Sequence, residues 1–130
     1  YVVADVEAAG SVLYFVIRNI GRGPAVDIRV TSDPRIVNQE GRDLTGYWTY
    51  AGLGPFQERR YFFYVGGDLF KEEVPLEYTV RVRYRDVVSG KDREHFYRLD
   101  LRSYRGTLAP PNPEEKIAKA VEKIARALGK

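Results

Sequence analysis

One stretch constrains this chain more than any other. Leu76-Glu-Tyr-Thr-Val-Arg-Val-Arg-Tyr-Arg85 puts Leu76, Tyr78, Val80, Val82 and Tyr84 at one parity and Glu77, Thr79, Arg81, Arg83 and Arg85 at the other. Only a strand keeps those two sets on opposite faces, since successive side chains of a strand alternate while a helix would scatter them around its circumference. Six further runs rich in β-branched and aromatic residues share the pattern: Val2 to Ala8, Val12 to Asn19, Ala25 to Thr31, Arg35 to Gln39, Arg59 to Gly66 and Arg93 to Arg102. Turn chemistry separates them, at Gly10-Ser11, Gly21-Arg22-Gly23-Pro24, Asp33-Pro34, Gly52 to Pro55 and Gly66-Gly67-Asp68. Ser89-Gly90 predicts a hairpin, after which His95, Tyr97, Leu99 and Leu101 share the core parity and Glu94, Phe96, Arg98 and Asp100 the solvent parity. Many short strands without intervening helices predict an all-β antiparallel sandwich of about seven strands, because each one-sided sheet must cover its apolar face with another.

At 130 residues the chain suits one domain with a real core. No cysteine is present, which excludes disulfides, thiolate metal sites and cysteine nucleophiles, and the single histidine, His95, excludes multi-histidine metal centres. Residues 1–112 carry sixteen basic and fifteen acidic side chains, so most of the net +3 sits in the last eighteen residues and no nucleic-acid footprint is expected. The longest uncharged run, Leu44 to Gln57, has fourteen residues, short of the roughly 20 needed to cross a bilayer. The start at Tyr1, with no basic-then-apolar leader, reads as a fragment or processed product whose targeting signal lies elsewhere.

Composition shifts at Ala109-Pro-Pro-Asn-Pro113, which divides the chain into a sandwich over 1–108, a stiff linker over 109–113 and a C-terminal amphipathic helix over 114–130. Asn112 can cap that helix, Pro113 suits its first turn, and Glu115 occupies the capping-box position. Its stripe of Ile117, Val121, Ile124 and Leu128 needs a partner, either its own sandwich or, with slight preference, a second chain. Glu114, Glu115 and Glu122 argue against a membrane surface as that partner.

Asn19-Ile-Gly-Arg-Gly-Pro-Ala25 between two apolar strands resembles the N-x-G-x-G-x-A connection of small immunoglobulin-like bacterial and archaeal domains, the group that includes the CARDB-type modules. Leu53-Gly-Pro-Phe-Gln-Glu58 resembles that group's Leu-x-Pro-Gly-x turn, with Phe56 where the pattern has glycine, and Tyr84-Arg-Asp86 with Gly90-Lys91 resembles its final hairpin. The resemblance covers about residues 1 to 102. It implies a seven-stranded immunoglobulin-like sandwich serving as an accessory module beside a membrane anchor or a larger enzyme, with no catalytic residues to transfer.

The candidate chemistry is sparse. Gly21-Arg22-Gly23 lacks the following helix of a dinucleotide loop and reads as a tight connection. His95, at core parity, reads as a packed and partnered histidine rather than a general base. No paired carboxylates, nucleophile constellation or metal-ligand spacing stands out, so no enzyme, cofactor or metal is expected. Tyr47, Trp48, Tyr50 and Phe56 on a Gly-rich loop are the candidate ligand-binding residues, able to stack on a sugar or a peptide; the alternative is that the irregular stretch from Ser32 to Glu58 folds over one end of the sandwich and buries its rings. Arg81, Arg83 and Arg85 could meet phosphates, but Glu77, Glu94 and Asp100 share their face, and a solvated ion-pair face is the expectation. The chain therefore reads as a non-catalytic accessory or protein-interaction domain of a larger, membrane-anchored protein. It would meet a protein partner or a second copy through the helix, with a carbohydrate- or peptide-binding module using the aromatic loop as the alternative.

Overall fold

A computed structural model describes residues 1–45 and 49–105, so the helix expected over 114–130 lies outside the described residues. Seven strands are seen: β1 (Val2–Ala9), β2 (Val12–Asn19), β3 (Ala25–Asp33), β4 (Thr49–Leu53), β5 (Glu58–Val65), β6 (Glu77–Asp86) and β7 (Lys91–Asp100). A four-residue helix, α1 (Gly66–Leu69), follows β5, and a 3-10 turn over Leu101–Arg105 follows β7. The strands form two antiparallel sheets, ordered β1-β2-β5 and β4-β3-β6-β7.

The alternating faces do what the sequence predicts. Val2, Ala4 and Val6 of β1 and Leu13, Phe15 and Ile17 of β2 meet Ile28, Val30, Tyr78, Val80, Val82 and Leu99 of the other sheet in one apolar core. Phe15, Phe63 and Tyr78 are its largest fully enclosed side chains, and burial pushes the Tyr78 phenol up to about 12. Tyr97 and Tyr104 tie the sheets together by donating their hydroxyls to the carbonyls of Val2 and Val6 in β1.

Three departures from the predicted pattern have local causes. The strand expected over Arg35 to Gln39 does not form: Val37 makes a single bridge to Asp43, while Asn38 Oδ1 accepts the N–H groups of Glu40 and Arg42 and closes a turn instead. Ile36 and Leu44 still bury their side chains, so this loop covers the core without pairing as a strand. The extra strand is β4, at the edge of the larger sheet. In β3 one extra residue, Asp27 at φ 53, bulges against β6, so Val26 stands opposite Arg85 on the outer face and Ala25 takes the core position expected of Val26.

Candidate functional site

The end of the sandwich where β2 leaves for β3 is organised by one buried side chain. Asn19 is fully enclosed; its Nδ2 donates to the carbonyls of Gly23 (2.9 Å) and Leu53 (3.0 Å), and its Oδ1 accepts the Gly21 N–H (2.9 Å). Its backbone continues the pattern, donating to Gln57 O (3.0 Å) and accepting from Phe56 N (2.8 Å). A single amide thus fixes the β2–β3 loop and the β4–β5 turn against each other. Of the two glycines of the same motif, Gly21 is required by proximity, since a Cβ there would sit 2.2 Å from the Tyr1 backbone nitrogen, while one at Gly23 would displace the exposed Val88 side chain. The third loop of this end, Val87 to Gly90, is anchored by Val87 N to Pro24 O (3.2 Å), by Val88 N to Asp86 Oδ1 (3.0 Å) and by Gly90 at φ 67.

These braced loops display apolar side chains to solvent. Seven large hydrophobic residues are exposed among the described residues, and Tyr1, Ile20, Phe56, Val87 and Val88 all belong to this end. Scattered exposed hydrophobics are ordinary, whereas five of the seven gather at this one end. Phe56 is its most unusual member. The turn Gly54-Pro55-Phe56-Gln57 is closed by Gln57 N to Gly54 O (3.1 Å) and by Gly54 N to Gln57 Oε1 (2.8 Å), and it forces Phe56 to φ 62. That left-handed conformation suits glycine and is unfavourable for a bulky residue. The Phe56 side chain is 75% exposed, so packing does not explain its presence.

Of the other aromatic-loop residues, Tyr47 and Trp48 lie outside the described residues, and Tyr50 is placed only as the register partner of Ile28 on β4. Ile117, Val121, Ile124 and Leu128 also lie outside them. The structure therefore brings Phe56 to the loop end and leaves its grouping with the other three rings undescribed. Sequence reasoning missed Ile20 and the adjacent pair Val87-Val88, which stand in loops outside any alternating pattern.

His95 sits half-buried on the core side of β7. Its Nε2 lies 2.9 Å from the Tyr84 hydroxyl, and its ring stacks on Tyr1 with centroids 4.3 Å apart. Burial, assisted by the positive charges of the amino terminus and Arg93, lowers its pKa below the ordinary 6.5. The unfolded chain then binds the His95 proton more readily than the folded one, so this residue subtracts stability as pH falls from about 6.5 through the lower folded value. Replacing His95 with Gln should flatten that part of the stability profile relative to the parent chain, as read from urea midpoints between pH 7.5 and 5. An unchanged slope contradicts the assignment.

The outer faces are charged. On the smaller sheet Arg18 bridges Glu7 and Glu58, and Arg60 reaches the same two carboxylates, holding Glu58 below its usual carboxylate range through the Arg18 hydrogen bond. On the larger sheet Arg81 pairs with Glu94 at 2.7 Å, Arg98 with Glu77, and Arg102 with Glu77 and Asp100. The expected ion-pair face exists over that part. Among the described residues no cluster of three or more His, Cys, Asp or Glu side chains is placed to hold a metal ion, and no helix is long and apolar enough to cross a membrane.

A family model described as a domain of unknown function, DUF8453, matches residues 1–105. The chain belongs to this family. The DUF8453 match takes in all seven strands, the Asn19 brace and the three loops of the apolar end, and stops short of the Pro-rich stretch and the predicted helix. No curated protein and no solved structure matches the chain.

Proposed function

We propose that this DUF8453 chain is a non-catalytic accessory domain of a larger, membrane-anchored protein, and that it grips a protein partner with the loop end of an immunoglobulin-like sandwich. The observation that carries the reading is Phe56: an exposed ring held at φ 62 among Ile20, Val87 and Val88, on loops braced from beneath by Asn19. Rigid loops presenting large apolar side chains make contact with little ordering cost, which is how a sandwich end serves recognition. The strand order β1-β2-β5 and β4-β3-β6-β7 supports the immunoglobulin-like reading. The membrane-anchored setting rests on the resemblance of the Asn19–Ala25 connection to CARDB-type modules. The stripe from Ile117 to Leu128 is proposed as a second contact, to a protein helix or a second copy.

A photo-crosslinking residue at position 56 of the full-length parent protein, expressed in its own cells, should capture one discrete protein. The same residue at position 96, an exposed ring on the outer face of β7, should not. Capture at neither site, or at both alike, counts against the reading. Binding to a glycan array that is lost with Phe56→Gly would favour the second reading, a carbohydrate-binding module, since β4 carries the aromatic loop directly into the turn that displays Phe56. Phe56→Gly itself should leave the fold intact and raise stability by up to about 1 kcal/mol, because relief of the left-handed strain exceeds the entropy that glycine adds to the unfolded chain. A melting temperature lowered by several degrees would show that the ring packs on the domain.

A further inference from the structure

The outer face of the larger sheet is divided. Toward one end its arginines are neutralised by Glu94, Glu77 and Asp100. Toward the other, Arg29, Arg83, Arg85 and Arg93 surround a concavity of about 400 Å³, and none of the four makes an ion pair or hydrogen bond with another described residue. Three carboxylates share the lining: Glu94 pairs with Arg81 and attracts Arg83, its register partner, only at longer range, and Asp27 and Asp92 do not close to ion-pair distance of any of the four. The strand register makes the arrangement costly: Arg29 lies directly opposite Arg83, with Arg85 next along the same face of β6, and like charges opposed across strands repel. Four guanidiniums against three carboxylates leave this lining with an excess of positive charge, and Arg29 faces an arginine rather than a carboxylate on β6. The β3 bulge at Asp27 falls beside this pair, and bulges commonly mark places where a strand is bent to shape a site.

We propose that this concavity binds a multivalent oxyanion, a phosphate- or sulfate-bearing group taken by the guanidiniums of Arg29 and Arg83 with Arg85 and Arg93 flanking. Planar guanidiniums offer paired N–H donors that match two oxygens of such a group, and bound charge would relieve the Arg29–Arg83 repulsion that the empty face carries. The site is separate from the apolar loop end, so it stands or falls independently of the proposed partner surface.

Titrate the 130-residue chain with inorganic pyrophosphate and, separately, with a fully sulfated disaccharide, at constant ionic strength of about 0.1 M, where distant charges are largely screened. Saturable binding of at least one probe is expected, weakened about tenfold or more by Arg29→Gln and by Arg83→Gln. Arg98→Gln, which removes a guanidinium already held by Glu77, should leave the affinity unchanged. Arg29→Gln should melt at or above the parent temperature, since it removes a repulsion rather than a contact, whereas Arg83→Gln also gives up the attraction of Glu94. Preference for pyrophosphate assigns the group to a phosphoester and preference for the disaccharide to an acidic glycan. No saturable binding of either probe, or equal weakening by Arg98→Gln, overturns the proposal.

Discussion

Asn19→Ala should lower the free energy of unfolding by about 3 to 5 kcal/mol, which for a domain of ordinary stability is a large share of the total. The substitution removes no hydrophobic surface of consequence. What it leaves behind is the difficulty: the carbonyls of Gly23 and Leu53 lose their donor, and the Gly21 N–H and the Tyr1 amino group lose their acceptor. A stranded buried polar group costs about 1 to 3 kcal/mol, in full at the buried Leu53 carbonyl and in part at the half-buried Gly21 and Gly23 groups. Asn19→Asp is a sharper probe because it preserves shape. It keeps the acceptor for Gly21 but points a carboxylate at two carbonyl oxygens, so it should be at least as damaging as alanine despite being isosteric. Urea denaturation of both variants measures this, and a loss below about 1 kcal/mol in each would show that the loops hold themselves without the amide.

Phe15→Ala should cost about 3 to 5 kcal/mol for a different reason. The ring is fully enclosed on the core face of β2, the central strand of the smaller sheet, between β1 and β5. With both flanking strands hydrogen-bonded to its own, the backbone there has little freedom to close over the space the ring vacates, so transfer and cavity terms add. The urea midpoint should fall with little change in slope. Phe96→Ala is the natural comparison, since that ring is 64% exposed beneath the Arg81 guanidinium and should cost well under 1 kcal/mol.

The parts of this molecule that follow from side-chain period were legible in the sequence. β2 runs over the residues predicted for it, and β6 faces as its alternation requires, because both strands are flanked by partners and buried on one side. What escaped was decided by contacts distant in sequence. Thr49–Leu53 has two small residues among five and no alternation, yet β3 offers it an edge to pair with. Arg35 to Gln39 has strand-like residues and reaches β5, where Gln39 N donates to Phe63 O, but Asn38 turns the chain away before a ladder forms. The β3 bulge is hidden because Val26, Ile28 and Val30 alternate perfectly on paper, and nothing in the composition of Asp27 announces a left-handed residue. At the candidate site, Phe56 was visible as a ring near a turn but not as a strained one. Asn19 was visible only as a member of a motif, since its role depends on carbonyls up to 34 residues away. The arginine stripe was read as uniformly neutralised. Which arginines find carboxylates depends on a register that places Arg29 of β3 against Arg83, a pairing no local pattern specifies.

Among the described residues β7 is the outermost strand of its sheet, ten residues long and paired only with β6. A free edge of that length is ordinarily a template on which a second chain can add, the first step toward fibrils. Here Lys91, Asp92, Arg93, Glu94, Arg98 and Asp100 place a charge at more than half of its positions, with both signs interleaved. An incoming strand would have to bury several of those charges unpaired in any register but a few, which makes the border of the sheet a barrier to aggregation. Copies of the domain held close together would not join through this border of the sheet.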